Sequence, residues 1–267
     1  MSYGQAVFLA LLQGLTEFLP VSSSGHLVLA QSFFGNVGQQ ELLYDVLLHL
    51  ATAGAVIAYF RRDLAGLLLG AVRPRTSGPL AGQERRMLLL IALASVPTAI
   101  LGLAVEKYLE DAVTRPDLVG MFLIATGCLL WAGRGRSGDR GPDRIRQRDA
   151  LAVGVVQGLA VLPGVSRSGS TITAAILAGI DRDLAVRFSL WISLPAILGA
   201  TFLKGLGAAD GPLPPAGPSL LGMGVAAVVG YLAIDWIVRL VRADRFHWFA
   251  WYLWPLGAAA IVWYHLG

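Results

Sequence analysis

The chain has 267 residues, of which 55% are hydrophobic and only 14% charged, with a mean hydropathy of +0.64 and a formal net charge of +4. Soluble domains carry about a quarter charged residues, so a soluble globular domain, a disordered chain and a collagen-like chain are all excluded. A lone cysteine, Cys128, rules out a disulfide scaffold, and its apolar surroundings predict a small packing residue.

From the N-terminus, residues 4–19 are apolar but run into Pro20-Val21-Ser22-Ser23-Ser24-Gly25-His26, followed by a short apolar piece at 27–34. No basic residue precedes Arg61, so the charged start of a cleavable signal peptide is missing. Segments 43–60, 87–105 and 117–132 follow, each close to the roughly 20 apolar residues that cross a bilayer as helix. A second broken stretch comes next, 150–162, then Pro163-Gly164-Val165-Ser166-Arg167-Ser168-Gly169-Ser170, then 171–180. Three more spanning segments complete the chain, 184–204, 220–241 and 249–266. The arms of the broken stretches are too short to cross. Irregular backbone survives at membrane depth only where protein or a watery cavity surrounds it, so both read as re-entrant hairpins.

The basic residues orient these elements. Loop 61–86 holds six arginines and loop 133–149 six more, while Arg182, Arg187, Arg239, Arg242 and Arg245 flank later helix ends. The positive-inside rule makes their common side cytoplasmic. The opposite side receives Lys107, Arg115, Lys204 and a Pro-rich loop at Gly211–Pro218. Such clusters set orientation and touch anionic membrane lipids rather than nucleic acid. The aromatic run Phe246–Trp254 predicts an interfacial belt, and Asp235, four residues before Arg239, a helix-end ion pair. Gly222, Gly224 and Gly230 predict close helix packing, inside the subunit or in a homodimer.

The two broken stretches match at an offset of 144 residues: Gln13-Gly14-Leu15 with Gln157-Gly158-Leu159, and Val21-Ser22-x-Ser24-Gly25 with Val165-Ser166-x-Ser168-Gly169. Three helices follow each hairpin. Three is odd, so the second unit is inverted relative to the first. The expected fold is an all-α polytopic membrane protein with six transmembrane helices and two re-entrant helical hairpins in two inverted-topology repeats. Repeat 1 covers 1–132, a cytoplasmic linker 133–149 and repeat 2 150–267, all one membrane domain. Such repeats bring their broken helices together near the midplane.

A charge at membrane depth is a functional candidate by default, which singles out Glu17 and Arg167. Around them crowd Ser22, Ser23, Ser24, Ser166, Ser168, Ser170, Thr171 and Thr173. Hydroxyls, the N–H groups at short helix starts and a guanidinium fork together suit phosphate or pyrophosphate. Glu17 serves either as a general base or, with Gln13 one turn earlier, as a ligand to a divalent cation. Ser23 or His26 is the nucleophile; the residues leave that open. Asp45 and His49 lie one turn apart near the outer end of the first full helix; they read as packing or interface residues, with lining of the site as the alternative.

These motifs, Gln13-Gly-Leu-Thr-Glu17-Phe-Leu-Pro-Val-Ser-Ser-Ser-Gly-His26 and Pro163-Gly-Val-Ser-Arg-Ser-Gly-Ser-Thr171, resemble both signature regions of the undecaprenyl-diphosphatases, the bacitracin-resistance protein family. The resemblance spans the whole chain in length, motif spacing and helix count. It implies a hydrolase of the bacterial plasma membrane, open to the outer side, that converts undecaprenyl diphosphate to undecaprenyl phosphate and inorganic phosphate. It implies recycling of the lipid carrier for wall synthesis, bacitracin resistance and a divalent cation, Mg2+ or Ca2+. The family's acidic motif falls on Gln13 and Glu17, with glutamine at its first position. The family's serine and histidine fall on Ser23 and His26, and its arginine on Arg167 between Ser166, Ser168 and Thr171. The rival reading is a transporter or flippase of polyprenyl phosphate with the same midplane anion site. A kinase is disfavoured because no Gly-rich loop with Lys is present.

Overall fold

The computed structural model describes residues 1–34, 39–73, 80–113, 115–207 and 213–266, with side chains described outside 31–42, 106–114 and 207. Arg75, the side chain of Lys107 and the first residues of the Pro-rich loop therefore lie outside the described residues. Among the described residues the architecture is all-helical, apart from an isolated bridge between Arg140 and Ile180.

The first broken stretch folds as α1 (Tyr3–Phe18) and α2 (Ser23–Phe34), and the second as α7 (Gln147–Leu159) and α8 (Arg167–Leu177). Both second arms start earlier than the apolar pattern suggests, so the Ser/Gly clusters form first helical turns rather than loops. Serine just before a helix supplies its own cap, which pure hydropathy does not register. Between the pairs lie α3 (Gln39–Tyr59), α4 (Arg61–Val72), α5 (Glu84–Val113) and α6 (Pro116–Ala132). After them come α9 (Arg182–Gly207), α10 (Ala216–Arg242) and α11 (Ala250–Leu266).

The helix α4 corrects the loop expected at 61–86. Leu64–Val72 is rich in leucine and alanine, its Gly66 and Gly70 are buried, and an arginine pair at its start does not break a helix. It bends from α3 by 74° at Phe60. Its Leu68, Leu69 and Val72 are exposed beside a buried strip of Gly66, Leu67 and Gly70.

By length and composition, Glu84–Val105, Arg182–Leu206 and Ala216–Arg242 are each able to cross a membrane, and Leu43–Tyr59 with Arg61–Val72 forms a bent fourth candidate. Many large apolar side chains on these helices point outward, among them Leu89, Ile100, Phe202, Leu220, Val228 and Leu232. In water such a surface would be a liability; against lipid tails it is the expected solvent face. The described helices are those of a multi-pass membrane protein.

Within the bundle, α1 packs along α10 and α7 along α5, while α3 lies against α9 and α10, and α9 against α5. α6 and α11 also pack closely, meeting at Gly120 and Gly257: a Cβ on either would lie 2.5 Å from the other's carbonyl oxygen. Phe18, Phe60, Phe188 and Trp191 fill the centre. On α10, Gly222 receives Tyr44 and Gly230 receives Phe18, so both glycines face the inside of the subunit. Cys128 is exposed on α6 rather than packed.

The arginine-rich ends are stitched together. Arg187 pairs with Asp63 and Asp183, Arg242 with Asp183, and Arg182 with Asp244 at 2.9 Å. Arg140 of the linker reaches Asp149 and donates to the carbonyl of Ala178 at 2.6 Å, tying the linker to both arms of the second pair. Asp235 and Arg239 form the expected ion pair at 2.7 Å.

Candidate active site

The α1 helix stops at Phe18 because Pro20 cannot continue it. The chain then reverses through Ser22, which takes a left-handed φ of 69° that a serine adopts only when its surroundings hold it there. Its Oγ accepts from the N–H of Gly25 at 3.3 Å, within its own turn, and from the N–H of Gly164 at 3.1 Å, in the other turn. Ser166 caps α8 in the matching way, accepting from the N–H of Gly169 at 3.2 Å. Ser168 Oγ donates back to the carbonyl of Leu19 at 3.1 Å. The two breaks therefore touch. A Cβ on Gly25 would lie 2.9 Å from the nitrogen of Gly164, which itself has φ 96°.

At this junction Glu17, buried at 5% exposure, gathers three partners. Its Oε2 accepts from Ser23 Oγ at 2.6 Å and from Gln13 Nε2 at 3.0 Å, and its Oε1 from Arg167 Nη2. Arg167 is the first residue of α8 and Ser23 the first of α2. The pair thus stands at two helix N-termini, the positive ends of their dipoles. Position for position, Ser23 and Arg167 are equivalent in the internal match, so the two turns diverge in chemistry at the residues that meet Glu17.

The other predicted residues sort differently. Ser22, Ser166 and Ser168 are braces between and within the turns, and Ser24 lies 3.4 Å from Ser22. Thr171 spends its hydroxyl on the carbonyl of Arg167 at 2.8 Å. Ser170 and Thr173 are buried in α8, their hydroxyls without a hydrogen-bond partner. His26 is held away from Glu17: Nδ1 bonds the carbonyl of Ser22 at 2.8 Å, Nε2 the hydroxyl of Tyr252 at 2.7 Å, and the two rings stack.

His49, for which the sequence leaves open a place lining the site, brings Nε2 to 3.8 Å from Glu17 Oε2. Two further neighbours, Tyr252 and Thr126, carry no such sign in the sequence. Tyr252 is hidden in an aromatic run that suits a membrane belt equally well. Thr126 of α6 accepts from the N–H of Ser166 at 3.2 Å and donates to the carbonyl of Gly164 at 3.0 Å, fixing the second turn. Only the Asp45–His49 spacing offered a local signal.

A divalent cation would find oxygen donors here. Gln13 turns its Nε2 to the Glu17 carboxylate, which leaves its Oε1, buried and without a partner, as the oxygen it can offer. Mg2+ is characteristically held by one or two carboxylates together with substrate phosphates. Among the described residues no group of three His, Cys, Asp or Glu is assembled for a metal alone. The donor set fits a cation shared with a phosphate-bearing substrate.

Fold and composition make this chain a multi-pass helical membrane protein. Residues 6–259 match the family model described as bacitracin resistance protein BacA, and the chain belongs to that family. It is 40% identical over 273 residues to the undecaprenyl-diphosphatase of Desulfatibacillum aliphaticivorans, covering 98% of this chain and 99% of that one. The undecaprenyl-diphosphatase of Desulfosudis oleivorans is 42% identical over 268 residues, with 96% and 97% covered. That of Hahella chejuensis is 37% identical over 267 residues, spanning both chains completely.

Proposed function

We propose that this chain is an undecaprenyl-diphosphatase, releasing inorganic phosphate from undecaprenyl diphosphate and returning undecaprenyl phosphate to wall-polymer synthesis. More of the enzyme then means more resistance to bacitracin. One observation carries the reading: a single buried carboxylate, Glu17, links a serine hydroxyl at 2.6 Å to a guanidinium, at the start of two helices.

The architecture in this reading is six spans, α3, α5, α6, α9, α10 and α11, with α1–α2 and α7–α8 as re-entrant hairpins. Supporting it, exchanging 1–132 for 150–267 turns the α1–α10 contact into α7–α5 and α3–α10 into α9–α5, and returns α3–α9 and α6–α11 to themselves. With the arginine-rich ends on the cytoplasmic side, the first hairpin and Glu17 open to the outside. The prenyl tail lies along the outward apolar faces.

Ser23 is the nucleophile, because both ring nitrogens of His26 are engaged by Ser22 and Tyr252. The Ser23 proton passes to Glu17 Oε2 as Oγ forms a bond to the terminal phosphorus. The phosphoanhydride P–O bond breaks and undecaprenyl phosphate leaves. Water then attacks the phosphoserine, giving one proton to the released phosphate, and Ser23 recovers its own from Glu17. Arg167 commits one nitrogen to Glu17, so its remaining donors and the helix N–H groups receive the phosphoryl oxygens. Gln13 and Glu17 would hold the divalent cation, which supplies charge neutralisation to the diphosphate.

Rapid quenching of purified protein with terminally labelled substrate tests this. Label trapped on Ser23, and absent from Ser23→Ala, is the expected result. Flux of polyprenyl phosphate across sealed vesicles without phosphate release would make the protein a carrier instead.

A further inference from the structure

His26 and Tyr252 are joined more tightly than a packing contact requires. The carbonyl of Ser22 only accepts, so the 2.8 Å contact to Nδ1 places a proton on that nitrogen. In the neutral ring Nε2 then carries the lone pair, and Tyr252 donates its hydroxyl to it at 2.7 Å. The rings lie nearly parallel, 5.7 Å between centroids and 16° between planes. One continuous chain runs from Tyr252 of α11 through His26 to the carbonyl of Ser22.

Ser22 is the residue that needs such a hold. It has a left-handed φ of 69°, and it immediately precedes Ser23, whose Oγ contacts Glu17 at 2.6 Å. A non-glycine residue in that region relaxes unless its surroundings over-determine it. Relaxation of Ser22 would swing the Ser23 hydroxyl off Glu17. The N–H groups of Gly25 and Gly164 hold the Ser22 side chain; its carbonyl accepts both from the N–H of His26 at 3.1 Å, a bond of the helix itself, and from the His26 ring, which ties it on to α11.

We infer that Tyr252 and His26 form a strut from α11 to Ser22, and that both are positioning residues for Ser23 rather than groups that exchange protons with the substrate. The inference rests on the phosphatase reading of the Ser23–Glu17 site. It assigns a role to Tyr252, and it moves His26 out of the chemistry. Asparagine at position 26 is the discriminating substitution: its amide N–H can donate to Ser22 as Nδ1 does, but it has no basic nitrogen.

Phosphate release from undecaprenyl diphosphate by purified variants decides it. Tyr252→Phe keeps the stacked ring and loses the hydroxyl; kcat should fall on the order of tenfold, the usual scale of one orienting hydrogen bond, with KM within about twofold. His26→Asn should retain well over ten times the activity of His26→Ala. In the His26→Ala background, Tyr252→Phe should cost nothing further. Wild-type kcat in Tyr252→Phe, or His26→Asn as inactive as His26→Ala, overturns the strut. Should a variant fail to fold, nitrogen NMR of histidine-labelled wild-type protein serves instead: a His26 ring protonated on Nε2 and bare on Nδ1 overturns it equally. Full activity of Ser23→Ala would instead remove the underlying reading of the site, whatever the two aromatic residues do.

Discussion

Glu17 and Arg167, 150 positions apart in the chain, pair side chain to side chain at the junction of two helix turns. Their side chains are only 3% and 19% exposed, so each is the other's main compensation for leaving water.

Removing one partner strands the other. Arg167→Ala and Glu17→Ala should each lower phosphate release by about 10²–10³-fold or more, the scale for losing one preorganised charge-stabilising group. Each should also destabilise the protein by up to about 3–5 kcal/mol, the usual cost of an uncompensated buried charge. The double variant Glu17→Gln/Arg167→Met should recover most of the thermal stability and none of the turnover. Melting curves and phosphate assays on the same preparations separate the two effects.

The contact between the turns predicts a backbone effect. At Gly164 a side chain would meet the carbonyl of Val119 and strain a φ of 96°, and the nitrogen of Gly164 is the one that bonds Ser22. Gly164→Ala should cost about 2 kcal/mol or more and depress kcat, since both the left-handed backbone and the close approach are lost. Retention of the wild-type melting temperature and kcat would count against a shared junction.

The cation proposal makes position 13 informative. Gln13→Glu places a second carboxylate beside Glu17. It should weaken the protein in chelator, through like-charge repulsion, and lower the Mg2+ or Ca2+ concentration needed for half-maximal activity. A titration of activity against free cation, after chelator treatment, reads both. An unchanged titration curve would detach Gln13 from the cation.

The linker carries a pH effect far from the chemistry. At Asp149 burial raises the carboxyl, but hydrogen bonds from Arg140 and from the backbone of Arg146, with the Arg140 charge, outweigh it and hold it below the ordinary aspartate value of 3.8. A depressed folded pKa contributes stability that is present above the unfolded value and lost as pH falls through the folded one. Stability should therefore decline below about pH 4, and Asp149→Asn should flatten that part of the profile while lowering stability at neutral pH. Unfolding monitored by helical circular dichroism across that range is the check.

Much of this molecule was legible locally. Proline and glycine within apolar runs located both breaks, serines and glycines marked their turns, and the residues flanking each break matched closely enough to imply two related units. Composition alone placed the helices in a bilayer, because few charges are available to cover them. The helix α4 was not legible: an arginine pair suggests the end of a span, yet nothing in Leu64–Val72 prevents a helix from resuming at a new angle.

What the chain order could not express is which side chains face one another. Glu17 and Arg167 stood out as isolated charges, but His49 beside Glu17, Thr126 beneath the second turn and Tyr252 against His26 follow from the rotation and docking of α3, α6 and α11. Local sequence governs where a helix starts and stops through capping, proline and hydropathy. Partner choice depends on how ridges and small residues of distant helices interlock, as at Gly120 and Gly257. For the same reason some serines changed meaning: counted along the chain they are phosphate donors, but in three dimensions Ser22 and Ser168 tie the two turns together and Ser166 caps its own.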